Sequence, residues 1–210
     1  FETKHPLVAV VDLKKADKKA FPQEVSYYYG VYALFLKQTY CGDITYGRMP
    51  YDYQEGTVTS FAPGQVVHVK HRPDYEPNAL GLLFHPDLIR GTSLGQEIKQ
   101  YSFFSYSSTE ALHLSEQEKM IYKDCLEKIK IETERPIDNH SKKLICRNIE
   151  LLLDYCMRFY ERQFITRKVV NRDILTKFEN ELDGYFEGDT AAVNGLPTCL
   201  LYTSPSPRDR

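Results

Sequence analysis

The hydrophobic period of this chain changes near His85, and this change constrains the fold more than any other feature. Before His85, β-branched and aromatic runs alternate with turn residues, which is typical of short strands. After it, apolar residues recur at helical spacing. The pattern predicts the α+β class, with an antiparallel β-barrel or sandwich followed by an α-helical region.

Six strands are predicted in the first part of the chain. They are separated by segments rich in Gly, Pro and Asp, which are turn residues. Because five or six strands are few for a closed barrel, we expect an open barrel or one that other elements complete. The predicted strands are Leu7–Asp12, Val25–Leu36, Ile44–Arg48, Thr57–Ala62, Val66–Lys70 and Ala79–Phe84.

Helices are predicted throughout the second part. Ser115 and Glu118 form a capping box, in which each side chain bonds the other residue's backbone at the start of a helix. Pro136 is expected to stop that helix. The predicted segments are one or two short helices within Asp87–Gln100, a helix from Ser115 to about Glu134, a longer one over Ser141–Gln163 and one capped by Asn171.

The predicted helix Ser141–Gln163 carries an apolar stripe over about five turns. Such a stripe packs either against the barrel or against a second subunit, and the sequence leaves both alternatives open. Sedimentation of the chain distinguishes them, since a monomer argues against a dimer seam. The stripe residues that we name as candidate dimerisation contacts are Ile149, Leu152 and Phe159.

Charge and hydropathy limit the possible functions. There are 27 Lys and Arg residues against 29 Asp and Glu residues, a net charge of −2, so the chain as given is not a basic nucleic-acid binder. The longest uncharged apolar stretch, Val25–Leu36, has 12 residues. Because a membrane-spanning helix needs roughly 20, we expect no membrane association.

The cysteines favour a reducing compartment. Cys41, Cys125, Cys146 and Cys156 show neither zinc-site nor disulfide-framework spacing. We therefore expect free thiols in a cytoplasmic protein, and we predict no cofactor.

No arrangement of residues in the sequence indicates catalysis or a metal site. His68 and His71 are the only local histidine pair, but residues three apart on a strand point to opposite faces. A metal site would also need a third ligand from elsewhere. Neither a Gly-x-Ser-x-Gly motif nor a phosphate-binding loop occurs. The chain is not expected to be an enzyme, and no catalytic residue is predicted.

The segment from Gly56 to His68, GTVTSFAPGQVVH, resembles the second conserved motif of cupin barrels, in which Gly and Pro-Gly shape a strand-turn-strand before a His. The first cupin motif, with its His-x-His and Glu metal ligands, is missing between Gly30 and Tyr53. The resemblance implies a cupin-like barrel that holds a small molecule without a metal. The alternative is a stand-alone cupin binding module or a metal-dependent cupin enzyme. A third possibility is a barrel that has lost its ligand and serves only dimerisation or partner docking.

Four further segments of the chain are Phe84–Leu94, Tyr101–Tyr106, Glu110–Ser115 and Arg158–Phe164. Taken together and in this order, they resemble the sensor half of AraC-family transcriptional regulators, and the similarity covers about residues 1–198. In that family, dimerisation helices follow a cupin-like barrel and precede a DNA-binding domain with two helix-turn-helix motifs. The resemblance implies a homodimer, a small-molecule effector and DNA contact through the helix-turn-helix domain.

The last twelve residues resemble a translated sequencing adapter, which is best excluded from fold reasoning. Without them the chain has 25 basic and 28 acidic residues, a charge of −3. We expect the helix-turn-helix domain to be absent and this polypeptide to be a truncated regulator. The expected domains are a barrel sensor over 1–84, a helical dimerisation and linker region over 85–187, a linker towards the helix-turn-helix domain over 188–198 and the adapter-derived tail over 199–210.

Family analogy places the effector inside the barrel, on the inward faces of the strands. Aromatic rings there supply apolar contact, while a hydroxyl or an imidazole orients the ligand. Tyr28, Tyr32 and His68 are the candidate ligand-binding residues. The strand register is open at this level, because a slip of one residue reverses every face.

Overall fold

Two antiparallel sheets and four α-helices build the described part of the chain, which confirms the α+β class. The computed structural model describes residues 5–17, 21–46, 49–73, 75–104 and 111–163. Strands are numbered along the chain, and each sheet is given in spatial order. The larger sheet consists of β1 (Val8–Asp12), β8 (Ala79–Phe84), β3 (Tyr32–Lys37), β6 (Thr57–Phe61) and β9 (Leu112–His113). The smaller sheet consists of β2 (Glu24–Tyr28), β7 (Val66–His71), β4 (Gly42–Tyr46) and β5 (Met49–Pro50).

The predicted strand Val25–Leu36 is wrong as a single element. Its first half is β2, which pairs with β7 in the smaller sheet, and its second half is β3, which pairs with β6 and β8 in the larger one. The chain bends at residues 29–31. Gly30 lies in that bend, and glycine weakens a strand because it has no side chain to pack. The bend is what carries the chain from one sheet to the other.

The larger sheet is apolar on both faces. On β3, Leu34 packs in the core that contains the helices, whereas Phe35 packs in the core between the two sheets. The register places Leu34 opposite Leu82 of β8, so that neighbouring strands present leucines to the same face. All five residues of β6 are buried, as expected for a strand that is covered on both sides.

The smaller sheet has one covered and one open face. Along β7 the residues alternate strictly, from exposed Val66 to buried His71. Between the described residues the two sheets do not join into a closed barrel. The molecule therefore has three layers up to residue 161: the smaller sheet, the larger sheet and the helices.

The helices begin and end close to their predicted positions. The helix α3 starts after Ser115, whose hydroxyl accepts the Glu118 N–H at 3.3 Å while the Glu118 carboxylate accepts the Ser115 N–H at 2.7 Å. This confirms the capping box. The short helices predicted between residues 87 and 100 are α1 and α2, followed by a 3-10 turn. The bounds are Pro86–Ile89 for α1, Ser93–Glu97 for α2 and Glu116–Glu134 for α3, while α4 begins at residue 141 and is described as far as residue 163.

The apolar stripe of α4 faces the larger sheet. Ile149 and Leu152 are fully buried and Phe159 nearly so, all in one core with leucines of β3 and β8. A side chain that is buried within its own chain cannot also contact a second subunit. The prediction of these three residues as dimer contacts is therefore corrected: they hold α4 to the sheet, and a dimer seam on this helix needs other residues.

Several predictions fall on residues outside the described part. The helix capped by Asn171, the linker over 188–198 and the tail over 199–210 belong to this group. The predicted domain boundaries therefore stay predictions.

Gly81 on β8 tests how tightly side chains pack on the inner face of the larger sheet, where Val11 and Phe35 lie opposite it on the neighbouring strands. A Cβ at this position would lie 2.6 Å from Cε1 of Phe35 and 2.8 Å from Cγ2 of Val11. We expect Gly81→Ala to lower the free energy of unfolding by about 1–3 kcal/mol, because overpacking displaces the Phe35 ring. Urea unfolding measures the change. Gly30→Ala is the matched control, since a Cβ there meets nothing within 4 Å. Equal losses of stability in the two variants contradict the packing argument.

Candidate functional site

The three predicted ligand-binding residues do not lie together. Tyr28 is 73% exposed at the end of β2, on the open face of the smaller sheet. His68 lies on the same open face, where its Nδ1 is 2.6 Å from the Ser26 hydroxyl. Tyr32 lies on the helix-facing side of the larger sheet, with its ring stacked on Phe84 at 5.0 Å. The expectation that these side chains face the space between the sheets is wrong.

The prediction differs from the structure by one residue along the strand, and this difference places each side chain on the opposite face of its sheet. Tyr27 and Tyr29, the neighbours of Tyr28, both pack in the core between the sheets. His71, three residues after His68, is buried, so the two histidines point to opposite faces as strand alternation predicts. The sequence contains a signal that identifies the inner face. Glu24 and Ser26 are polar and share the parity of Tyr28, which marks that side as the open one.

Four tyrosines surround Cys41 between the sheets, and we call them the inter-sheet tyrosine cluster: Tyr27, Tyr29, Tyr53 and Tyr75. Burial is the main cause that raises the pKa of each of these phenols. The Cys41 side chain adds to the shift in all four cases. The phenols therefore stay protonated at neutral pH and act as uncharged hydrogen-bonding groups.

Tyr53 is held by a complete set of hydrogen bonds. Its hydroxyl donates to the Gly42 carbonyl and accepts from the Cys41 N–H at 3.2 Å. The Cys41 Sγ lies 2.7 Å from the same oxygen. Gly42 has a φ of +126°, and a Cβ there would lie 2.1 Å from the Lys70 carbonyl oxygen, so only glycine fits. Tyr53 and Cys41 thus form the structural end of the cluster, in which the thiol bonds within the protein.

Tyr27, Tyr29 and Tyr75 form the open end of the cluster. All three side chains are half-buried, and within the described residues none of their hydroxyls has a hydrogen-bond partner. None of these hydroxyls is sealed from solvent in the way that the Tyr122 hydroxyl is. A phenol in this state can donate to or accept from a bound molecule without first breaking a protein hydrogen bond.

Aromatic rings frame this open end. The Tyr29 ring stacks on Phe61 at 4.9 Å, and the Tyr75 ring stacks on His71 at 4.8 Å with an interplanar angle of 5°. Phe21 meets both His71 and Tyr75 edge to face. Stacked pairs of this kind are rigid, so the hydroxyls at their tips are held in place.

His71 adds an acceptor to the same frame. Its Nδ1 lies 2.7 Å from the Pro22 carbonyl oxygen, which can only accept. The Nδ1–H group therefore donates to this carbonyl, and in that tautomer Nε2 is the acceptor nitrogen. One imidazole acceptor and three phenols form a set that suits hydroxyl or amide groups of an uncharged ligand.

A buried lysine lies at the structural end. Lys37 has its Nζ 4.0 Å from the Cys41 Sγ and 5.5 Å from the centroid of the Phe35 ring. The aromatic face compensates part of the desolvation of this ammonium group.

No three His, Cys, Asp or Glu side chains of the described residues come together as metal ligands would. No helix in the described part is both long and apolar enough to cross a membrane.

Comparison with known proteins identifies no family: no family model matches this chain, and no curated protein matches it at a significant level.

Removal of the Tyr53 hydroxyl tests the structural end of the cluster. Tyr53→Phe leaves the Gly42 carbonyl and the Cys41 N–H without this partner, so we expect the free energy of unfolding to fall by about 1–3 kcal/mol. Tyr28→Phe removes an exposed hydroxyl and is expected to change stability by less than about 0.5 kcal/mol. Urea unfolding at neutral pH compares the two. Similar values for both variants contradict the role assigned to Tyr53.

Proposed function

We propose that this chain is the effector-sensing and dimerisation part of an AraC-type transcriptional regulator, with a cupin-like sandwich as the sensor. The observation that carries the proposal is the open end of the inter-sheet tyrosine cluster. Tyr27, Tyr29 and Tyr75 pack in the core between the sheets, the Tyr75 ring stacks on His71, and the three hydroxyls have no hydrogen-bond partner among the described residues. The strand-rich first part of the chain, the helical second part and the four AraC-like segments support the same assignment.

The effector in this proposal is an uncharged, hydroxyl-bearing small molecule. Aromatic faces pack against the apolar side of such a molecule, while phenols and an imidazole acceptor bond its hydroxyls. Tyr27, Tyr29 and Tyr75 take the role that the sequence assigned to Tyr28 and Tyr32, and His71 takes that of His68. All four replacements lie on the inner side of the sandwich.

Dimerisation in this proposal uses the outer side of α4. Leu144 is 45% and Leu151 40% exposed, and together with Asn148 and Tyr155 they follow a 4-3-4 spacing. This spacing is that of the two seam positions of a coiled coil. The stripe lies on the side of α4 opposite to buried Ile149. A second α4 packed on it would cover the exposed leucines.

DNA binding in this proposal belongs to the helix-turn-helix domain that the resemblance implies. The net charge of −2 supports this division, because a surface that meets phosphates needs clustered positive charge. A cytoplasmic location goes with the proposal, since Cys41, Cys125, Cys146 and Cys156 are all free thiols.

Tyrosine fluorescence offers a direct test of the sensor assignment, because the chain has 16 Tyr and no Trp. We expect a panel of neutral monosaccharides and small amides to include a ligand that changes this fluorescence in a saturable way. Tyr75→Phe and Tyr27→Phe should each weaken its binding about fivefold, the effect of one lost hydrogen bond. Tyr28→Phe is the control and should bind normally. If the ligand binds equally well to all three variants, the site lies elsewhere; a ligand that binds only with stoichiometric metal favours the cupin-enzyme alternative.

Sedimentation equilibrium tests the dimer. At loading concentrations of roughly tens of micromolar we expect the chain to sediment as a dimer and Leu151→Glu to sediment as a monomer, since a buried unpaired carboxylate is costly. Met120→Glu is the matched control, because Met120 is 60% exposed on α3, away from the stripe. A monomeric parent chain, or an equally dissociated Met120→Glu variant, contradicts the seam on α4.

A further inference from the structure

A basic notch lies between the start of α2 and the first turns of α4. Thr92, Ser93, Lys142, Lys143 and Arg147 line it. The notch has a volume of about 410 Å³. It belongs to the helical layer, and none of these residues belongs to the inter-sheet tyrosine cluster.

The positive charge in the notch opposes the stability of α4. Lys142 and Lys143 lie in the first turn, where the helix dipole favours acidic side chains and disfavours cations. Lys143 and Arg147 are also spaced four apart, so that two like charges are neighbours on the helix surface. Residues that break such local rules without a structural gain are expected at binding sites.

The protein compensates only part of this charge. The Arg147 guanidinium pairs with the Glu150 carboxylate at 2.8 Å, and the Lys142 ammonium donates to the Arg90 carbonyl at 3.0 Å. A carbonyl oxygen carries only a partial charge, so the Lys142 charge is not neutralised. Lys143 has no ion pair among the residues that the structure describes. Two uncompensated ammonium groups therefore face the same notch.

The start of α2 supplies neutral donors. The Thr92 hydroxyl is committed, because it donates to the Ile89 carbonyl at 2.7 Å and accepts the Gly95 N–H at 3.2 Å. Ser93 also lines the notch, and its hydroxyl makes no hydrogen bond within the described residues. Two ammonium groups, a guanidinium and a hydroxyl are the donors that proteins use for a phosphate group, which offers several acceptor oxygens at once.

We propose that this notch binds the phosphate group of a small phosphorylated molecule. Lys142 and Lys143 supply charge, Arg147 supplies the directed N–H groups that Glu150 leaves free, and Ser93 bonds a phosphate oxygen. The volume exceeds that of a phosphate ion and leaves room for the organic part of the molecule. The proposal does not depend on the sensor function, since it uses a different layer of the fold.

Isothermal titration with glycerol 3-phosphate tests the proposal, with glycerol as the uncharged probe. We expect saturable binding of glycerol 3-phosphate to the whole chain, competition by inorganic phosphate and no binding of glycerol. Lys142→Ala and Ser93→Ala should each weaken binding about tenfold, the effect of a lost hydrogen bond to a charged group. Lys128→Ala is the control, because Lys128 is an exposed lysine on α3 outside the notch, and it should bind like the parent chain.

Three outcomes overturn the proposal. The first is the absence of binding by glycerol 3-phosphate and inorganic phosphate alike. The second is equal affinity of the parent chain, Lys142→Ala and Ser93→Ala. The third is salt-dependent binding of duplex DNA of arbitrary sequence without binding of either phosphate probe, which makes the notch a contact for a nucleic-acid backbone. Neither variant changes a residue assigned to the dimer or to the tyrosine cluster, so failure here leaves those proposals standing.

Discussion

Apolar side chains project from both faces of the larger sheet, so each face has to be covered by another layer of the structure. Leu34 and Leu82 point to the helices, whereas Phe35 points to the smaller sheet. Removing such surface from water is the main favourable contribution to folding. The position of α4 and that of the smaller sheet both follow from this requirement. Gly81 shows how closely side chains are packed on the inner face of this sheet, because even a methyl group there would collide with Phe35 of the neighbouring strand.

The two covers differ in chemistry, and this difference separates the functions that we propose. The helical cover is almost wholly apolar where it meets the sheet, with Ile149 and Leu152 fully buried. In our proposals the outer side of α4 binds a second copy and the first turns of α4 bind an anion. Tyr27 and His71 of the smaller sheet, with Tyr29 and Tyr75 beside its strands, lie on the inner side instead. Polar groups on rigid aromatic frames are typical of a recognition site, since they orient a ligand at little entropic cost.

The accuracy of sequence prediction varied with the range of the interaction involved. The strand Ala79–Phe84 and the capping box at Ser115 match the structure, because strand propensity and capping act over a few residues. The prediction of a single strand over Val25–Leu36 is wrong, because its division into β2 and β3 depends on partner strands that are distant in sequence. The prediction of the ligand-binding residues is wrong for a related reason. Tyr27 and Tyr28 have the same side chain, so the sequence offers both as ligand contacts, and only the register with β7 decides which one faces inward.

The sequence by itself determined the α+β class, the strand-rich first part of the chain and the apolar stripe of α4. Each follows from periodicity, which is a local property of the chain. Only the tertiary structure decided what the stripe packs against, because a buried helix face and a dimer seam have the same spacing. It also decided which tyrosines surround Cys41 and which cations meet Ser93. Those neighbours come from strands and helices far apart in the chain, and packing alone brings them together.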